Sequence, residues 1–246
     1  MPSPCAVCIK AHIYVKVIPT NPGLRLAALL EGPYVQNSGL MRDDLRRGGL
    51  IPAMEPYTAL GYSFVGGGGE VVSSQVLAQS GSDAIVDWVV IELRDAANNR
   101  NVLHSRAALI QRDGDIVDID GRSNVVFPTQ FAAGTYHVVL VHRNHLGVMT
   151  DQPYTLNTPI DLTSGAVSIY GGNQTVKQVG NKTALMGGDA DGNGQVQNTD
   201  QVFHWMPQSG TAGYKSGDFN LNGQVQNTDR VYIWAPNSGK GSQVPR

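Results

Sequence analysis

Charge, aromatic residues and cysteine are all scarce in this chain. Only 15% of its 246 residues are charged, and the formal net charge is −2. A chain so short of cations lacks the electrostatic footprint of a nucleic-acid binder. No apolar run approaches the roughly 20 residues of a membrane-spanning helix, so no membrane insertion is expected. The start, MPSPCAVCIKAHIYVKVIPT, lacks the basic-then-apolar order of a secretory signal. Two cysteines, Cys5 and Cys8, form a single C-x-x-C. A redox motif needs that spacing at the head of a helix in a βαβ setting, whereas here it leads into the strand-like alternation of His12 to Ile18. Two thiols also fall short of the four ligands of a structural zinc site. A local or intermolecular disulfide, or no function, is left for the pair. No G-x-S-x-G and no H-E-x-x-H occurs, and no nucleophile is marked by its sequence setting. The chain is therefore read as a non-enzyme.

Glycine is plentiful, at 29 residues, and the body of the chain reads as β-structure. Ile85 to Leu93 is rich in β-branched and aromatic residues, and Val102 to Gln111 follows a polar turn. Asp113–Gly114 and Asp120–Gly121 are hairpin dipeptides flanking Ile116 to Ile119. Further strands are expected at Asn124 to Phe127, Thr135 to His142, Val148, Tyr154 to Leu156 and Ala166 to Tyr170. Only Gly39 to Gly49 and Ser73 to Gln79 read as helical. Short strands at this spacing predict a mainly β fold, an antiparallel β-sandwich of Ig-like or transthyretin-like type, over residues 24–183. Residues 1–23 form an extended arm or strand, set off by PTNPG, which is either donated to a neighbouring subunit or the first strand of its own sandwich. Residues 184–246 form a small second domain.

That last domain repeats itself. Gly188 to Gly210 reads GDADGNGQVQNTDQVFHWMPQSG, and Gly217 to Gly239 reads GDFNLNGQVQNTDRVYIWAPNSG, with 15 of 23 positions identical. Each copy holds a twelve-residue loop with oxygen-bearing side chains at positions 1, 3, 5, 9 and 12 and glycine at position 6, as a Ca²⁺ loop requires. In loop 1 the ligands are Asp189, Asp191, Asn193, Gln197 and Asp200, with Gln195 contributing its backbone carbonyl. In loop 2 they are Asp218, Asn220, Asn222, Gln226 and Asp229, with Gln224 contributing its carbonyl. Hard oxygen donors without His or Cys select Ca²⁺ over a transition metal, and two Ca²⁺ ions are expected. Gly194 and Gly223 sit where the chain bends around the ion. Val196 and Val225 are expected to pair as a short ribbon between the loops. Trp205 and Trp234, at equivalent positions, are expected to form the small domain's core.

The repeat resembles the dockerin family of duplicated calcium-binding modules, whose loops also end in Asp, as Asp200 and Asp229 do here. The resemblance implies that loop positions 10 and 11, Asn198–Thr199 and Asn227–Thr228, help to read a cohesin partner. It departs downstream: Pro207 and Pro236 limit each following helix to about two turns. The run EGPYVQNSGLMRDDLRRGGLIPAMEPYTALGY, then GGGGE, IVDWVVIELRDA, ALIQRDGDIVDIDG and HRNHLGVMT, resembles the terminal region of large secreted bacterial surface proteins of the adhesin-like kind. That likeness implies surface exposure and a structural or adhesive role.

Other clusters carry less. Gly66 to Gly69 lacks the Lys-Ser/Thr and the βα setting of a phosphate loop and reads as a turn. His142, Arg143, Asn144 and His145 read as a satisfied turn at a strand end. Asp113, Asp115, Asp118 and Asp120 are a minority option for a third cation site. Asn173 and Asn181 match the glycosylation sequon. Together these point to a non-enzymatic, extracellular, cell-surface structural or adhesive protein that self-associates into a fibre by exchange of its N-terminal strand, with glycans or a surface receptor as further partners. The alternative is a docking module that attaches to a receptor on a larger assembly.

Overall fold

A computed structural model describes residues 21–246. The N-terminal arm, with Cys5, Cys8 and the strand expected at His12 to Ile18, lies outside the described residues.

The described chain opens with two short strands, β1 (Gly23–Leu24) and β2 (Leu26–Ala27), which feed different sheets. A hairpin follows, β3 (Tyr34–Val35) and β4 (Leu40–Met41), then two single-turn helices, α1 (Asp44–Arg47) and α2 (Ser74–Leu77). Ser73 caps α2 by accepting from the Val76 N–H. The long strands come next: β5 (Ile85–Asp95), β6 (Val102–Gln111), β7 (Asp115–Val117), β8 (Val125–Val126), β9 (Thr135–His142) and β10 (His145–Met149). Short strands β11 (Tyr154–Thr155) and β12 (Ile160–Asp161) and a second hairpin, β13 (Val176–Val179) with β14 (Lys182–Leu185), complete the β-structure.

The principal sheet has the order β10-β9-β5-β6-β7-β2-β12, with β11 also pairing to β9. Smaller sheets, β1-β8, β3-β4 and β13-β14, surround it. The result is mainly β and consistent with a β-sandwich, but it is not purely antiparallel. β12 runs parallel to β2, with Ile160 opposite Leu26. Such a pair joins residues more than 130 positions apart, and no local turn signal announces it. Ala166 to Tyr170 forms no strand, only a bridge from Ile169 to Thr150. The helical readings shrink to four residues each.

β5 is the axis of the molecule. Every residue from Ile85 to Arg94 is buried, which explains why it reads as a continuous apolar run rather than an alternation: both of its faces are covered. Trp88 is fully buried, its indole N–H donating to the Pro52 carbonyl at 2.9 Å, and Tyr57 donates to the Trp88 carbonyl at 2.8 Å. Gly67 explains part of the glycine run. A Cβ there would stand 2.3 Å from the Ser105 carbonyl oxygen, so the turn needs glycine to lie against β6. No helix among the described residues is long and apolar enough to cross a membrane.

Candidate metal centre

The two loops fold alike because their carboxylates organise their own backbone. In loop 1, Asp189 accepts from the Gly194 N–H at 3.0 Å. Asp200 accepts from the Ala190 and Gln197 N–H groups, both at 2.7 Å. Loop 2 repeats the scheme. Asp218 accepts from Gly223 at 2.8 Å, and Asp229 accepts from Asn220 at 3.0 Å and from Gln226 at 2.8 Å. The intermediate positions step inward as well: Asp191 accepts from Asn193, Asn193 from Gln195, Asn220 from Asn222 and Asn222 from Gln224. Gly194 and Gly223 take φ of +80° and +83°, the left-handed bend that glycine reaches without strain.

Loop 1 brings Asp189, Asp191 and Asp200 together, one oxygen from each lying within 4.8 Å of the others. Asp189, Asp200, Asp218 and Asp229 are buried, while Asp191 is exposed. Among the described residues none of the five is ion-paired. Burial, with Asp200 beside it, pushes the Asp189 carboxyl up to about 8. Burial likewise pushes Asp218 up to about 7, and raises Asp200 and Asp229. One buried oxygen, Asp189 Oδ1, has no hydrogen-bond partner at all. A buried carboxylate oxygen left bare is costly unless a cation meets it. The donor set of carboxylates and amide oxygens suits a hard divalent ion and fits Ca²⁺. The ion would supply positive charge against these oxygens.

The loops interlock across the repeat. Trp205 donates its indole N–H to the Gln226 carbonyl, and Trp234 donates to the Gln197 carbonyl, each at 3.1 Å. Both rings belong to a small core with Val196, Val225, Phe219 and Ile233. The valines do not pair with each other. Val196 exchanges hydrogen bonds with Gly239 and Lys240, and Val225 with Gly210 and Thr211. Gly210 and Gly239, at φ of +82° and +85°, turn the chain leaving each helix back onto the opposite loop, which takes the place of the expected ribbon. Each loop leads into a π-helical segment, Asp200–Trp205 and Asp229–Trp234, continued by one α-helical turn, Met206–Gln208 and Ala235–Asn237. Pro207 and Pro236 stand in that final turn.

The cluster at His142 to His145 joins this repeat to the sheet. Asp87, near the start of β5, accepts from Arg143 at 2.9 Å, from Tyr214 at 2.6 Å and from His142 Nε2–H at 3.2 Å. Burial alone would raise the Asp87 carboxyl, but Arg143 and these donors hold it well below its usual range. His145 Nδ1–H donates to Asn144 Oδ1 at 2.9 Å and faces His142 Nδ1 at 3.1 Å. Burial lowers the pKa of each histidine. Arg143 also donates to the Lys215 carbonyl at 2.6 Å, and Asn144 to the carbonyls of Ser216 and Asp218 at 3.1 and 2.8 Å. Glu31 adds a second tie, accepting from Lys177, from the Gly187 N–H and from Asn237 at 2.6 Å. Sequence reasoning saw the four residues as a turn and missed Asp87, whose signal was a charge standing inside an apolar strand run.

The acidic run at 113–120 does not converge. Asp118 pairs with Arg106 at 2.8 Å, and Asp120 is taken up by Arg122 and Ser123. No family model matches this chain, and no curated protein does. Among solved structures it is similar to a chain in the crystal structure of an N-terminal interface mutant of a type II Cohesin-X-Dockerin complex from Acetivibrio cellulolyticus. That match has 18% identity and a TM-score of 0.38, and covers 70% of this chain and 90% of that one. At that distance the likeness bears on neither fold nor function.

Proposed function

We propose that this is a non-enzymatic extracellular structural or adhesive protein of the cell surface, whose C-terminal repeat is a dockerin-like module holding two Ca²⁺ ions. The β-body is taken as an Ig-like or transthyretin-like sandwich. The observation that carries the reading is the pair of loops in identical register, each with two buried aspartates in no salt bridge, and in loop 1 three converging carboxylates with one bare buried oxygen. The His142–His145 cluster supports the non-enzymatic part, because His142, Arg143 and Asn144 make hydrogen bonds that join the repeat to β5.

Assembly is assigned to the residues before Pro22, which donate a strand to the sheet of a neighbouring copy, whereas Gly23 already pairs with β8 of its own chain. The principal sheet ends in β12 on one side and in β10 and β11 on the other, and a strand edge is a template for such addition. Donor and acceptor surfaces differ, so the contact is head-to-tail and propagates into a fibre. Deleting residues 1–20 should leave a folded monomer, whereas the full chain sediments as higher oligomers in calcium.

A second reading, a docking module for a receptor, is favoured by one feature. Phe203 and Tyr232 occupy equivalent repeat positions, and both are exposed, at 69% and 68%. Val202 and Val231 beside them are also exposed. Titration calorimetry tests the shared premise: two calcium ions per chain, with Asp189→Ala removing one and Asp218→Ala the other. Loop 1 offers three carboxylates and loop 2 only two, so unequal affinities are expected. One site or none in the intact chain would sink both readings.

A further inference from the structure

The repeats differ most where it matters for what surrounds them. Positions 2 to 4 of the loop are Ala190, Asp191 and Gly192 in the first copy, and Phe219, Asn220 and Leu221 in the second. Gly192 is exposed and sits at φ +67°, a region glycine enters freely. Leu221 holds the same left-handed bend at φ +56° and is the one non-glycine residue with positive φ among the described residues. Its side chain is fully buried, and it packs in the main core of the sheet rather than in the small core of the repeat. A branched residue in that conformation is strained, and here the burial of its side chain in a foreign core offsets the strain.

The backbone of loop 2 is gripped on both sides of Leu221. Arg42 donates to the Asn220 carbonyl at 2.8 Å, and Asn144 donates to the Asp218 carbonyl at 2.8 Å. Gly32 lies so close beneath that a Cβ there would fall 1.9 Å from the Phe219 carbonyl oxygen. Loop 1 has the smaller Ala190 where loop 2 has Phe219, both in the small core, and has no counterpart to Leu221. Its positions 3 and 4 face solvent, and its Gly192 and Gly194 carbonyls accept from Arg246 and from the Ser242 N–H of the C-terminal segment. The turn of Asn144 holds it only at the Gly188 N–H ahead of the loop.

We propose that the two calcium loops have different roles. Loop 2 carries a structural ion whose binding is coupled to the integrity of the sheet, and loop 1 carries an exchangeable ion that leaves without loosening the sheet. This rests on the reading of both loops as calcium sites. The physics is linkage: an ion stabilises the sheet only if opening the sheet destroys its site. Leu221 makes that true of loop 2, because the core cannot come apart while the loop keeps its shape. Loop 1 can open locally and lose its ion first.

Hydrogen exchange of the β5 and β6 amides, measured by mass spectrometry on the full chain with calcium and with chelator, tests this directly. With calcium at a hundredfold its dissociation constant, chelation should speed their exchange about 100-fold. Asp189→Ala should keep that calcium effect in full, and Asp218→Ala should lose it. Leu221→Gly, which gives loop 2 the residue of loop 1, should still bind two ions by calorimetry while the calcium effect on β5 and β6 disappears. If Asp189→Ala abolishes the effect as completely as Asp218→Ala, or Leu221→Gly retains it, the division of roles is wrong although the calcium sites stand. If the wild-type chain binds no calcium, the underlying reading fails with it.

Discussion

Two carboxyl groups, Asp189 and Asp218, state the problem that the repeat must solve at the scale of single residues. Burial raises both above the ordinary carboxylate range, to about 8 and about 7. A raised folded-state pKa gives stability that is present below the unfolded value and lost as pH rises through the folded one. In chelator, the protein should therefore lose about 1–2 kcal/mol between pH 7 and 9 from these two groups. Calcium binds the ionised carboxylates, so in millimolar calcium the loss should vanish and affinity should rise over the same range. Urea denaturation at several pH values with and without calcium checks both signs. Asp87 poses the opposite case, a buried charge fully met by Arg143, Tyr214 and His142. Arg143→Met should cost about 3–5 kcal/mol because it strands that charge, and adding Asp87→Asn should recover part of the loss. A double-mutant cycle by urea unfolding reads the coupling.

Among elements, legibility followed locality. β5, β6 and β9 could be read because their β-branched runs are long and each is bounded by turn residues. β1, β2 and β12 are two residues each and exist only because a distant partner pairs with them, so no window of sequence encodes them. The loop ligands were legible because a metal loop fixes residue types at fixed offsets within twelve positions. The tie between Asp87 and Arg143 spans 56 positions and leaves no such pattern. The expected ribbon of Val196 with Val225 does not form, and the pairing of Val196 with Gly239 and Lys240 and of Val225 with Gly210 and Thr211 was missed because it depends on where glycines return the chain after each helix. Loop geometry should in turn be sensitive to its bend: Gly194→Ala forces a Cβ into φ +80° and should cost about 1–2 kcal/mol. Calcium titration of that variant should show one weakened site and one unchanged.

At the scale of the whole molecule, the repeat is built into the body it follows. Leu221 joins the core of the sheet, while Glu31 near the start of the described chain binds Asn237 near its end. This arrangement leaves the paired exposed residues Phe203 and Tyr232 free on the outer side of the repeat. Phe203→Ser with Tyr232→Ser should change stability by less than about 0.5 kcal/mol, as surface substitutions do, while removing any receptor contact made there. Thermal melts of the double variant check the first part, and surface binding assays on intact cells the second. The central claim is that the repeat holds two calcium ions in these two loops. Crystals grown in calcium and measured for anomalous scattering test it most directly. The account predicts two peaks, one ringed by Asp189, Asp191, Asn193 and Asp200 and the other by Asp218, Asn220, Asn222 and Asp229. A map with no peak in either loop, or with peaks only elsewhere, would contradict it.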